Sequence, residues 1–135
     1  MAEKEFIDQD FIRLRDMIDA ELRHTEIEDQ RESLHFLASV LEQGKVISSQ
    51  NIPAEIVTMG VWFRLRDLDT YEEISYTLVY PQDADLAQNR LSILTPLGMA
   101  ILGLRVNETV DWQTPEGMRH LKIMAVRHYA KSNNE

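Results

Sequence analysis

Residues 24–32, HTEIEDQRE, gather four carboxylates within one short polar stretch: Glu26, Glu28, Asp29 and Glu32. Clustered carboxylate oxygens are the ligands a hard divalent cation such as magnesium prefers. The same acids have a plainer use. Carboxylates in the first turn of a helix complement its dipole, and Thr25 with Glu28, like Asp29 with Glu32, stands at capping-box spacing. On the residues alone the capping use is the expectation, with contact to basic surfaces or to a metal as its rival. The four histidines, His24, His35, His120 and His128, fall at no spacing that brings two imidazoles onto one face, so no histidine metal site is expected. No nucleophile elbow, phosphate-binding glycine loop or His-Glu-x-x-His helix occurs. No catalytic residue, metal or cofactor is therefore assigned, and a non-enzyme is expected.

A second group is Trp62, Arg64 and Arg66 in VWFRLRDL. Tryptophan beside arginine is the composition of interface hot spots, which makes these three a candidate partner surface. The structural alternative is a tryptophan covered by the chain's own helices. Charge bears on what such a partner can be. Fourteen Lys and Arg against 23 Asp and Glu give a net charge of −9. Residues 1–50 hold six of those bases and twelve of the acids, hence two thirds of the excess. No run of basic residues marks a phosphate-binding patch, so strong binding to free nucleic acid is not expected. An acidic chain favours basic protein surfaces or metal ions.

The elements that must position these groups fall into two regions with different periods. In FIDQDFIRLRDMIDAELRHT, Phe11, Leu14, Ile18 and Leu22 recur at spacings of three and four, the stripe of an amphipathic helix. Asp8 or Asp10 is positioned to cap its start. A second helix carries Ile27, Leu34, Leu37 and Leu41 on one face, with Gly44 as a left-handed stop. Two such helices joined by a short turn fold back as an antiparallel pair, and helices of roughly 15–18 residues extend only about 25 Å. GKVISSQNIP, with Ser48, Ser49, Asn51 and Pro53, is expected to be a connector.

Beyond it the period becomes two. Val61, Phe63 and Leu65 alternate with Trp62, Arg64 and Arg66, and Ile74, Tyr76, Leu78 and Tyr80 form a second alternating set. Pro81 ends that strand. Leu91 and Ile93 belong to a third. Thr95 then suits a helix cap with Pro96 at the first helical position, and Gly103 suits the stop. TVDWQ and RHLKIMAVRHY pair across TPEG, where Pro115 and Gly117 fit a tight turn. The expected fold class is α+β, an antiparallel sheet with one short buried helix preceded by a helical hairpin. Expected boundaries are 1–46 for the hairpin, 47–55 for a linker, 56–130 for the sheet domain and 131–135 for a tail. No apolar run approaches membrane-span length and residues 1–10 carry no signal pattern, so a soluble cytoplasmic protein without membrane contact is the default.

VTMGVWFRLRD, YTLVYPQDADL, LSILTPLGMAILGLRVNETVDW and GMRHLKIMAVRHY, in that order, resemble the C-terminal domain of the GreA/GreB family of bacterial transcription elongation factors. The linker IPAEIVTM and the short N-terminal region are more similar to the Rnk-type members, regulators of nucleoside diphosphate kinase. The resemblance covers residues 53–129 well and residues 1–50 in outline. It implies an FKBP-like C-terminal domain without isomerase activity that docks on core RNA polymerase at the rim of the secondary channel. It implies that Leu94, Thr95, Pro96 and Leu97 lie toward the polymerase. It also implies that a coiled coil enters the channel, its acidic tip, here Glu26, Glu28, Asp29 and Glu32, helping hold a second magnesium ion in the cleavage factors. Coils in those factors are roughly twice as long as the one expected here. A Rnk-type regulator is thus the first expectation, a transcript-cleavage factor the second. A prolyl isomerase is the third, disfavoured because the aromatics are few and scattered.

Overall fold

The computed structural model describes residues 4–48, 50 and 53–128. The chain divides into two compact units, Met1–Ile52 and Pro53–Glu135. In the first, strand β1 (Glu5–Ile7) runs into helix α1 (Asp8–His24), and helix α2 (Glu28–Glu42) runs into strand β2 (Lys45–Ile47). Leu14 and Ile18 of α1 and Leu34, Leu37 and Leu41 of α2 are buried, because spacings of three and four keep them on one stripe per helix. Phe11 and Leu22 are half-buried. Ile27 departs from the expected stripe. It is 58% exposed, since it precedes the helix rather than lying in it.

The helix starts also differ from expectation. Ile7 and Ile27 occupy the N-cap positions, and neither isoleucine side chain supplies a cap. Asp8 and Asp10 lie inside the first turn of α1, and Glu28 and Asp29 inside that of α2, where they complement the dipole. Thr25 instead ties down the turn. Its Oγ1 donates to Gln30 Oε1 at 2.7 Å and accepts from the Ile27 amide at 3.3 Å. Arg31 closes the end of α1, donating to the carbonyls of Leu22 (2.8 Å) and Thr25 (3.2 Å) that no helical amide reaches.

Strands β1 and β2 pair in parallel, Glu5 with Lys45, Phe6 with Val46 and Ile7 with Ile47. Residues 45–47, expected to begin a connector, are therefore part of the first unit. Three residues are too few to show an alternating period, which is why this sheet is invisible in the sequence. Gly44 is not left-handed: the described glycines with positive φ are Gly60, Gly103 and Gly117. It is needed for another reason, because the Phe6 ring occupies the place where a Cβ on residue 44 would stand. Ser49, Asn51 and the tail expected at 131–135 lie outside the described residues.

The second unit is built on β3 (Trp62–Asp67), β4 (Glu73–Val79), β5 (Arg90–Ser92), β6 (Thr109–Thr114) and β7 (Gly117–Arg127). They form one sheet in the order β5-β4-β3-β7-β6. Helix α3 (Pro96–Ile101) buries Leu97, Met99 and Ile101. Val61, Phe63 and Leu65 are buried while Trp62, Arg64 and Arg66 are only half-covered, as alternation requires. The sheet is mixed, not antiparallel throughout. β4 and β5 pair in parallel, Thr77 with Arg90 and Leu78 with Leu91. Residues 80–89 make no tight hairpin. Pro81 opens one 3-10 turn (Pro81–Asp83), a second follows (Leu86–Gln88), and the chain is carried back before it pairs. Among the described residues no helix is long and apolar enough to cross a membrane.

Candidate functional site

The start of α3 is a rigid corner. Thr95 Oγ1 donates to the Ser92 carbonyl at 2.7 Å and accepts from the Gly98 amide at 3.0 Å, while Ser92 Oγ accepts from the Leu94 amide at 3.0 Å. The side-chain oxygens satisfy the Leu94 and Gly98 amides at the strand-to-helix transition, and the Ser92 carbonyl accepts from the Thr95 amide as well, at 3.1 Å. The consequence is a fixed presentation of four residues to different surroundings. Pro96 is exposed, Leu94 and Thr95 are half-buried, and Leu97 is only 4% exposed. The Leu97 side chain lies in the core, which leaves Pro96 as the most accessible member of the expected docking segment. Leu97 sits four residues before Ile101, on the stripe that faces the core, and that spacing was the available signal.

The acidic turn has the opposite character. Glu26, Glu28, Asp29 and Glu32 are all exposed. Among the described residues no group of three His, Asp or Glu side chains is arranged to hold a metal ion.

On the outward side of β3, Trp62, Arg64 and Arg66 do come together. The guanidinium carbon of Arg64 lies 5.3 Å from the centre of the Trp62 ring, and that of Arg127 lies 5.0 Å away. Arg127 was not singled out in the sequence; it arrives because β7 places it directly opposite Trp62. Arg66 pairs with Glu73 at 2.6 Å, and Arg64 reaches the same carboxylate at 3.9 Å.

Asp67, at the end of β3, organises the turn that follows. Only 3% exposed, it accepts from the amides of Asp69 (2.8 Å) and Thr70 (3.1 Å) and from Arg119 Nε (2.5 Å). The Asp69 amide first, then the Arg119 side chain, hold this carboxyl below the ordinary value of 3.8. A depressed folded-state value supplies stability above the unfolded-state pKa and loses it as pH falls through the folded one. The melting temperature is therefore expected to drop on acidification below about pH 4. Asp67→Asn should melt lower at neutral pH and show a shallower acid-side slope. Thermal denaturation across that range checks it, and an unchanged slope would contradict the role. An aspartate two residues before Asp69 in a turn was the missed signal, since Asp side chains commonly bond the amide two residues on.

Residues 52–128 match the family described as Transcription elongation factor, GreA/GreB, C-term. The chain belongs to the GreA/GreB family. GreA of Caldanaerobacter subterraneus subsp. tengcongensis is 35% identical over 91 residues, which are 67% of this chain and 58% of that protein. The chain thus spans less than two thirds of that relative. The regulator of nucleoside diphosphate kinase of Escherichia coli (strain K12) is 32% identical over 93 residues, 68% of each chain. The solved GreA/GreB factor of Nitrosomonas europaea covers 95% of this chain with 100% of its own at a TM-score of 0.75 and 28% identity. Gfh1 of Thermus aquaticus, at a TM-score of 0.53 and 20% identity, shares the fold. The GreA/GreB segment takes in the sheet, α3, the Thr95–Pro96 corner and the Trp62 face. It leaves the acidic turn outside.

Proposed function

We propose that this GreA/GreB-family chain is a transcription regulator that docks on core RNA polymerase at the rim of the secondary channel. The second unit, read as FKBP-like, makes the contact through Leu94, Thr95 and Pro96. The helical pair, read as a short coiled coil, projects toward the channel. The chain is not an enzyme in this reading, uses no cofactor and does not depend on free nucleic acid. The observation that carries the choice of a Rnk-type role over a cleavage-stimulating one is helix length. α1 and α2 have 17 and 15 residues, so at 1.5 Å per residue they extend about 25 Å and 22 Å. Glu26, Glu28, Asp29 and Glu32 then stop short of a metal ion that cleavage factors reach with coils about twice as long. Their exposure supports the rival reading that they act at that metal.

An assay on arrested elongation complexes separates the two. The chain alone is expected to release no short 3′ RNA fragments, and in excess to slow release by a GreA factor through competition for the same rim. Fragment release by the chain itself would overturn the choice in favour of a cleavage factor.

A further inference from the structure

Residues 53–128 contain seven Lys and Arg, scattered so widely that no basic patch is visible in the sequence. Strand register assembles five of them. Arg90 on β5 pairs with Thr77 on β4, Thr77 with Trp62 on β3, and Trp62 with Arg127 on β7. Laterally paired residues share a face, so these four form one row across about 14 Å of sheet. Arg64 stands two residues along from Trp62 on the same side. Arg66, paired with both Glu73 and Lys122, forms a further row. This is the face opposite buried Val61, Phe63 and Leu65. Ten acids lie in residues 53–128, yet the strands place only Glu73 and Asp111 on this side, and a bridge to Arg90 adds Asp85. Glu73 is already engaged by Arg66 and Arg64, and the Asp85 carboxylate accepts from the Ala87 amide and the Gln88 side chain. Arg90, Lys122 and Arg127 have no carboxylate partner among the described residues. A chain of net charge −9 therefore presents one concentrated positive face.

Its chemistry selects an occupant. A single-stranded nucleic acid needs an aromatic face left open for a base, whereas here two guanidiniums already lie over the Trp62 ring. A guanidinium stacked on an indole still has its in-plane N–H groups free, and those match a carboxylate in a two-point geometry. The negative charge of the rest of the chain also opposes a long polyanion while leaving a local acidic patch on a protein accessible.

We propose that the outer face of the five-stranded sheet, centred on Trp62, Arg64 and Arg127, is a second docking surface for a carboxylate-rich patch on the polymerase. This rests on the reading above that core polymerase is the partner. The probe is core RNA polymerase, titrated with the full chain at low and moderate salt. The face variant is Arg90→Glu with Arg127→Glu. Its control is Arg23→Glu with Lys45→Glu, which changes net charge equally on the first unit. The face variant is expected to bind about tenfold more weakly at low salt, with the gap closing as salt screens the contact, and the control to stay within about threefold. Arg90→Glu alone breaks no ion pair among the described residues and gives the same direction should the double variant melt early. Equal weakening by the control, or full affinity of the face variants, overturns the proposal while leaving the functional reading standing. Loss in the face variant of binding to a labelled single-stranded RNA, or of self-association, with polymerase affinity intact, overturns it in favour of RNA or of a second copy. A wild-type chain with no affinity for polymerase overturns the functional reading and this proposal together.

Discussion

Leu97→Ala is expected to destabilise the second unit by about 2–5 kcal/mol, while its neighbour Pro96→Ala leaves the unit folded and weakens polymerase binding. The two residues are adjacent in sequence but opposite in surroundings. Leu97 is a buried residue of α3, 4% exposed and in the core that also holds Met99 and Ile101, so truncation removes buried apolar area and leaves a cavity. Pro96 is exposed at the first helical position, where its missing amide has no helical partner to lose. Its replacement costs only the preorganised φ, about 0.4–1 kcal/mol. For a domain of this size the leucine change should lower the melting temperature by about 10 °C or more. Thermal denaturation combined with a polymerase titration reads both effects. A Leu97→Ala chain that melts with the wild type contradicts its place in the core. A folded Pro96→Ala chain with full affinity contradicts the docking role of the corner.

Gly98→Ala should also destabilise, against the usual preference. Inside a helix alanine is favoured over glycine by about 1 kcal/mol. Here an added Cβ would press on the Ser92 carbonyl oxygen and stand 3.0 Å from Thr95 Oγ1 and 3.2 Å from Ile93 Cα. None of these is the loose end of a flexible side chain. The Ser92 carbonyl accepts the Thr95 hydroxyl, and that hydroxyl accepts the Gly98 amide, so relief of the clash must disturb the corner itself. Overpacking of this kind typically costs about 1–3 kcal/mol, which outweighs the propensity gain. The net expectation is a lower melting temperature accompanied by weaker polymerase binding, read on the same two instruments. A Gly98→Ala chain more stable than wild type would mean that α3 does not approach residue 92 this closely.

Local chemistry explains which features were legible. Thr95 as a cap, Pro96 at the helix start, Gly103 beyond its end and the 114–117 turn each depend on residues within a few positions, and each is found in the structure. The alternation that buries Val61, Phe63 and Leu65 needs only one strand to be visible. What needed pairing was hidden. The parallel contact of β4 with β5 depends on how residues 80–89 return. The short β1–β2 sheet joins residues 40 apart, as in Phe6 with Val46. The basic face exists only once register sets Arg90, Trp62 and Arg127 in line. The resemblance supplied the segment from Leu94 to Leu97 as a whole, and only burial separates core-facing Leu97 from exposed Pro96.

The most direct test compares core RNA polymerase binding by the full chain and by residues 53–135. The shorter chain is expected to retain affinity within a few-fold, and Pro96→Ala to weaken both chains alike. Binding that disappears with residues 1–52, or that neither chain shows, would contradict a docking function for the sheet unit.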